Sequence, residues 1–289
     1  MIKITPAELT IWSTYVASLT GIQLDSTKDY LFENRLNGLL GETKSASFSE
    51  LYSKVVGDPT GALKRKVIDS LTTGETSFFR DHSPYDLLVH KILPDLIDRR
   101  NKQQQSSHPI PIRVWSAACS TGQEVYSIAI TIVDTLRPLS RYSVKILGTD
   151  ISDQAISAAS RGRFKKLEIE RGLPKEKLEK YFAPREDDSW QIKEEIRALA
   201  SFRTFNLLTD LSPLGRFDII FCRNVAIYFS ESDRKKLFMH MTQALEPDGY
   251  LIIGSTESLT NICPQFESKR YLSSVFYQLT QSRPAAKAA

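Results

Sequence analysis

Residues Ile112 to Ile130, IRVWSAACSTGQEVYSIAI, constrain the fold more than any other stretch of this chain. Val114 to Cys119 is an apolar run that closes in small residues and Gly122. Apolar positions then recur at Val125, Ile128, Ala129 and Ile132, the spacing of a helix face. A buried strand, a turn and a helix follow from that pattern. Such a unit collects unpaired backbone N–H groups and the positive end of a helix at its turn. Ser120 or Thr121 is expected to cap the helix, and Gly122 to let the backbone pass close to something bound. One glycine is too few for the G-x-G-x-x-G turn that seats a pyrophosphate. An ordinary capped helix after a strand reads the same way, so this stretch fixes a fold unit and leaves function open.

The same alternation continues downstream. Val144 to Leu147 ends in Gly148-Thr149-Asp150, and Phe202 to Leu208 carries Asn206. Phe217 to Cys222 leads into Arg223-Asn224 and Val225 to Phe229. Tyr250 to Gly254 follows a turn at Glu246-Pro247-Asp248-Gly249, and Val275 to Leu279 makes a last strand. Strands alternating with helices predict an α/β fold with a largely parallel sheet, whose ligands bind at the carboxyl ends of the strands. Ser120, Glu124, Asp150, Asn206, Arg223, Asn224 and Ser255 all fall at those ends, and that clustering points to a cofactor site. Asp150, 28 residues beyond Gly122, fits two roles. It can accept hydrogen bonds from the two hydroxyls of a ribose, or cap a helix starting near Ser152.

Ahead of this unit, residues 1 to 72 read as a small helical bundle punctuated by Gly21, Gly41 and Gly57-Asp58-Pro59. Thr72 to Asp81, TTGETSFFRD, is dense in hydroxyls and aromatics for a plain linker. Phe78 and Phe79 are expected to bury, leaving Thr76 and Arg80 to meet the polar end of a ligand. A helix from about Tyr85 to Arg100 and a polar loop at 101–109 follow. Residues 161–200 read as an insertion whose centre holds two short strands around the charged turn PREDDS, and the tail 283–289 as disordered.

Composition narrows the classes. A chain of 289 residues with 41% hydrophobic content can bury one large core or two. A net charge of +4 is too slight to argue for nucleic acid. The segment from Arg161 to Lys180, with eight basic against four acidic residues, holds a surplus as large as the whole chain's and reads as a solvated helical face. Three widely spaced cysteines suggest neither disulfides nor a zinc site. The hydroxyl-rich start and the lack of a long apolar run predict a cytoplasmic protein without membrane insertion.

Four motifs together resemble the chemotaxis receptor methyltransferase (CheR) family: TTGETSFFRD at 72–81, VWSAACSTGQEVYSIAI at 114–130, LGTDIS at 147–152 and FCRNVAIYF at 221–229. The resemblance implies transfer of a methyl group from S-adenosylmethionine to glutamate side chains of membrane chemoreceptors, giving γ-glutamyl methyl esters for chemosensory adaptation. It implies a helical N-terminal domain at 1–72 that recognises receptors. A Rossmann-like methyltransferase domain at 73–289 would follow, with an inserted β-subdomain at about 161–200. Carried over by motif, the cofactor contacts are Gly74, Thr76, Arg80, Glu124, Asp150, Asn206, Leu207, Arg223 and Asn224. Tyr228 faces the reacting methyl group and counts with Arg80 as catalytic; no metal is implied. The family commonly has asparagine at Gly74 and glutamate at Gln123, so Glu124 supplies the acidic group here. The short PREDDS turn lacks the glycines used to dock a receptor's C-terminal pentapeptide, which implies a pentapeptide-independent enzyme; a monomer is expected. Two other readings share the cofactor half: an S-adenosylmethionine methyltransferase with another substrate, and a non-catalytic cofactor sensor. The first, as a DNA enzyme, would want an Asn/Asp-Pro-Pro-aromatic segment where Arg223-Asn224-Val225-Ala226 stands.

Overall fold

The computed structural model describes residues 2–24, 28–103 and 109–280. The first helices are α1 (Pro6–Thr20), α2 (Asp29–Glu42), α3 (Phe48–Val56) and α4 (Ala62–Leu71). Helix α1 starts cleanly because Thr5 and Glu8 form a reciprocal capping box and Pro6 presets the first turn. It stops at Gly21, whose φ of 77° is left-handed. The four helices enclose Trp12, Val16, Phe32, Leu36, Phe48 and Leu51, all nearly inaccessible. Burying each such side chain contributes about 1.5–3 kcal/mol. Glu8 enters this core only because Thr5 and Ser49 give its carboxylate four hydrogen bonds.

A helix follows in three parts: α5 (Ser83–Leu87), a π-helical turn (Leu88–Ile92) and α6 (Leu93–Gln103). It therefore extends beyond the expected 85–100 on both sides. Most of the expected loop at 101–109, and the tail at 283–289, lie outside the described residues.

The main sheet has seven strands. Five are parallel: β1 (Ile110–Ala117), β2 (Tyr142–Asp150), β6 (Ala200–Thr204), β7 (Phe217–Cys222) and β8 (Leu245–Ile253). Their crossovers include α7 (Gln123–Thr135), α8 (Asp153–Arg161) and α12 (Glu231–Ala244). The inserted unit between β2 and β6 holds β3 (Arg163–Lys165), α9 (Lys166–Glu170), α10 (Lys175–Tyr181), β4 (Phe182–Pro184), β5 (Ser189–Ile192) and α11 (Glu194–Arg197). The sheet ends in a hairpin of β9 (Phe266–Tyr271) and β10 (Ser274–Leu279), giving the order β6-β2-β1-β7-β8-β10-β9. Its two faces bury separate apolar clusters, one under α7 with Ile128 and Ile132, the other under α12 with Leu237 and Met241.

Three sequence expectations change. Strand β9 has no apolar alternation, since Glu267, Ser268, Lys269 and Arg270 are polar; its pairing with β10 makes that sheet edge antiparallel. The turn at Glu246–Gly249 is a bulge inside β8: Leu245 pairs with Phe217 and Tyr250 with Ile219, so four residues of β8 face one of β7. The insertion has three strands, because Arg163–Lys165 joins the expected pair in the order β3-β5-β4.

Candidate active site

The cavity at the carboxyl ends of β1, β2, β6 and β7 is built from the loops that follow those four strands, the loop at 72–81 and one wall of the N-terminal bundle. After β1 the backbone reverses at Ala118 and Ser120, both at positive φ, and enters α7 at Gly122. Neither Ser120 nor Thr121 caps that helix. Ser120 instead donates its hydroxyl to the Gly74 carbonyl at 2.9 Å and its N–H to Asp150 Oδ2 at 2.8 Å. Gly122 passes close to α8 and does not line the cavity. A Cβ there would lie 2.9 Å from Ala159 Cβ, at a φ of 95°.

Asp150 closes β2 and does not cap α8, whose N-cap is Ser152. Its carboxylate accepts the N–H groups of Ser120 and Ser152, bracing two loops. Burial nevertheless pushes its carboxyl above the ordinary range, against those bonds. Asn206 follows β6, where the chain leaves the sheet at Thr204. Its side chain accepts from Leu208 N–H and donates to the Leu19 carbonyl at 2.9 Å, which pins the end of α1.

Arg223 follows β7 with 2% of its side chain exposed. It donates to Glu124 Oε2 at 2.8 Å, to Asp81 at 2.6 Å and to the Arg80 carbonyl at 3.0 Å. Glu124 also accepts the Ser116 hydroxyl at 2.7 Å. Arg223 and Glu124 thus neutralise each other within the wall. Burial opposes the Arg223 charge, but Glu124, Tyr85 and Asp81 outweigh it and hold the guanidinium above its usual range.

The TTGETSFFRD loop is held from both sides. Phe78 packs edge-on against Phe164 and Phe182 of the insertion, with ring centroids 4.9 and 5.6 Å away. Phe79 N–H donates to Ser127 of α7, and Arg171 of the insertion bridges to Glu75. The Arg80 side chain makes a single hydrogen bond among the described residues, to the Glu75 carbonyl at 3.3 Å. Phe79, Asp81, His82, Ala118, Ser120 and Asn224, six of the ten described non-glycine residues at positive φ, stand in the loops around this cavity. Such backbone costs about 1–3 kcal/mol per residue and persists where the surroundings over-determine it.

Thr76, Arg80, Glu124, Asp150, Asn206, Leu207, Arg223, Asn224 and Tyr228 all line the cavity. Gly74 does not; its carbonyl serves Ser120 behind the wall. Sequence reasoning missed the N-terminal contribution: Thr20, Ile22, Leu24, Lys28 and Leu31 line the same cavity. Ile22 bridges to Phe229, and Gln23 N–H donates to the Tyr228 carbonyl at 2.8 Å. Nothing local in those helices signals a site. Ser255 follows the carboxyl end of β8 as expected, but it lines a separate cleft.

The comparisons agree with this geometry. The family model for the CheR methyltransferase SAM-binding domain matches residues 74–272, and that for the CheR all-alpha domain matches residues 7–72. The chemotaxis protein methyltransferase Cher2 of Pseudomonas putida is 37% identical over 91% of this chain and 94% of its own. A chemotaxis protein methyltransferase of Vibrio parahaemolyticus is 38% identical over 96% and 98% respectively. Chemotaxis protein methyltransferase 1 of Pseudomonas aeruginosa is 34% identical over 94% and 97%. With both domain types matched in order, and relatives aligned nearly end to end, this chain belongs to the CheR family of S-adenosylmethionine-dependent methyltransferases.

Proposed function

We propose that this enzyme methylates glutamate side chains on the cytoplasmic domains of membrane chemoreceptors, forming γ-glutamyl methyl esters. One observation carries the reading: all four loops bearing the family motifs meet in a single cavity with Tyr228 exposed on its rim.

The residues present suit S-adenosylmethionine. Asp150 offers a carboxylate to ribose hydroxyls at the end of β2, and Ile151, Phe205 and Leu207 give apolar surface for a base. Arg80 keeps donors for the cofactor's own carboxylate, while Thr76 and Asn224 add polar contacts. Gly122 packs on Ala159 instead of opening a phosphate cradle, as a cofactor without phosphates allows. Glu124 and Arg223 belong to the same wall but act through each other, as a neutral clamp that shapes it.

When bound, the cofactor supplies a methyl group already activated on a sulfonium. An acceptor glutamate is ionised near neutral pH, so no general base is needed. The protein's part is alignment and exclusion of water, which together reach about 7–11 kcal/mol in well-oriented systems. Tyr228 orients the incoming carboxylate, and Ile22, Val225 and Phe229 exclude water beside it.

The N-terminal helices recognise receptors in this reading, and the monomer needs no C-terminal pentapeptide. The turn from β4 to β5, Arg185 to Asp188, is four residues without glycine, and Asp188 takes its left-handed position at φ 54°. No described helix is long and apolar enough to cross a membrane.

Incubation with radiolabelled S-adenosylmethionine and receptor cytoplasmic fragments tests the proposal. Base-labile label released as methanol is expected; base-stable label, or label on nucleic acid, would overturn it. A peptide copied from a receptor's C-terminus should show no binding by calorimetry, and micromolar binding would refute the docking claim.

A further inference from the structure

Glu257 stands outside the cavity and outside the four motifs, in the turn after β8, yet it touches the backbone that shapes the site. Its Oε2 accepts two backbone hydrogen bonds, from Asn224 N–H at 2.8 Å and from Gly254 N–H at 2.7 Å. The first belongs to the turn after β7 and the second to the end of β8, so one carboxylate oxygen ties neighbouring strand ends together. Asn224 is held at a φ of 56°, in the left-handed region that asparagine tolerates better than most non-glycine residues.

The fit around this carboxylate is close. A Cβ on Gly254 would stand 2.5 Å from Glu257 Oε2 and 2.9 Å from Asn224 Nδ2, so no side chain at 254 is compatible with both. Four residues beyond Asn224 comes Tyr228, whose position follows from the same turn. In the 3-10 stretch Ala226–Tyr228 its N–H donates to the Val225 carbonyl at 3.1 Å, inside the same turn, and its carbonyl accepts Gln23 N–H at 2.8 Å.

We propose that Glu257 is a positioning residue for methyl transfer, fixing the turn that presents Asn224 to the cofactor and Tyr228 to the acceptor. The proposal rests on the reading of the site given above. An uncharged acceptor in the same place would hold the same two N–H groups less strongly, because hydrogen bonds to an ionised acceptor are the stronger kind. Arg223 and the Cys222 thiol interact with it electrostatically, and Asp81 and Tyr277 line the same cleft. Burial raises the Glu257 carboxyl, against the two N–H groups and the Arg223 charge.

The test uses the full chain. In Glu257→Ala, hydrogen exchange over residues 222–229 should quicken at least tenfold while α7 and α12 exchange as before. Turnover of receptor fragments measured well below the melting temperature should fall at least tenfold. Glu257→Gln, which keeps one acceptor oxygen, should restore turnover to within about threefold of the parent. Gly254→Ala, which displaces the carboxylate without removing it, should reproduce the Glu257→Ala pattern. The two changes combined should cost no more than either alone, as expected for residues acting as one unit. If Glu257→Ala does not fold, Gly254→Ala decides. Unchanged exchange at 222–229 would overturn the proposal, as would a lowered melting temperature with parental turnover. The exchange measurement requires no substrate, so an error in the receptor assignment would show only in the turnover arm.

Discussion

Arg223 donates to Glu124 Oε2 across 2.8 Å, joining the loop after β7 to the first turn of α7 inside the wall of the cavity. The pair is sealed from water on the arginine side, and Asp81 shares the same guanidinium. Arg223→Ala leaves Glu124 buried without its counter-charge, and breaking such a pair typically costs about 3–5 kcal/mol. A drop of that size in unfolding free energy by urea titration is expected, with S-adenosylhomocysteine binding lost alongside. Arg223→Lys should recover only part, since one ammonium cannot fork to Glu124 and Asp81 together. An unchanged urea midpoint in Arg223→Ala would show that the pair is not stabilising.

Asp150 separates a ligand role from a bracing role. In Asp150→Ala, affinity for S-adenosylhomocysteine by calorimetry should fall at least tenfold, about 1.4 kcal/mol. Asp150→Asn keeps an oxygen for only one of the two N–H groups, since Ser120 bonds Oδ2 and Ser152 bonds Oδ1, so it should fold with somewhat lower stability than the parent while losing the charge that favours ribose hydroxyl donors. Parental affinity in both variants would leave Asp150 as a loop brace alone.

What the sequence made legible divides along physical lines. Strands buried on both faces, such as Phe217–Cys222, announce themselves as apolar runs, and polar residues stand out where those runs end. Edge strand β9 carries no such signal because its residues face water, so only its pairing with β10 defines it. The motif loops could be collected into one site, but the partners of each side chain could not be read. Arg223 was expected on the cofactor and is committed to Glu124 and Asp81; Ser120 was expected as a cap and serves Gly74. The wall formed by Thr20, Ile22 and Lys28 depends on how the bundle docks, through long-range contacts such as Asn206 to Leu19. No local pattern encodes that docking.

Gly21 is where the bundle meets the site. A Cβ there would stand 2.4 Å from Leu208 Cδ1, and φ is 77°. Gly21→Ala therefore combines left-handed backbone strain with a clash, and a loss of roughly 1–3 kcal/mol is expected. Because Ile22 and Gln23 hold Phe229 and Tyr228, turnover should fall as well. Gly38→Ala, with nothing within 4 Å of the added atom, is the control and should stabilise α2 slightly. Equal stability of the two variants by thermal unfolding would contradict this account of Gly21.

The insertion is moored to the main domain at Asp134 of α7. Its carboxylate accepts from Lys177 Nζ at 2.8 Å, Lys180 Nζ at 2.6 Å and the Tyr181 hydroxyl at 2.5 Å, all on α10. Burial alone would raise this carboxyl, but the two ammonium groups and the hydroxyl outweigh it and hold it down at about 2. The folded value thus lies below the unfolded one of roughly 3.9. Asp134 therefore contributes stability that is fully present above the unfolded value and disappears as pH falls through the folded one. The shift corresponds to at most roughly 2.6 kcal/mol, and partial exposure of the carboxylate screens it to about 1 kcal/mol. Asp134→Asn should accordingly be about 1 kcal/mol less stable than the parent at pH 7. The gap should narrow below roughly pH 4, where the parent begins to lose the charge. Urea titrations across that range decide the matter. A gap that stays constant with pH would mean that Asp134 holds α10 by shape and neutral hydrogen bonds rather than by its charge.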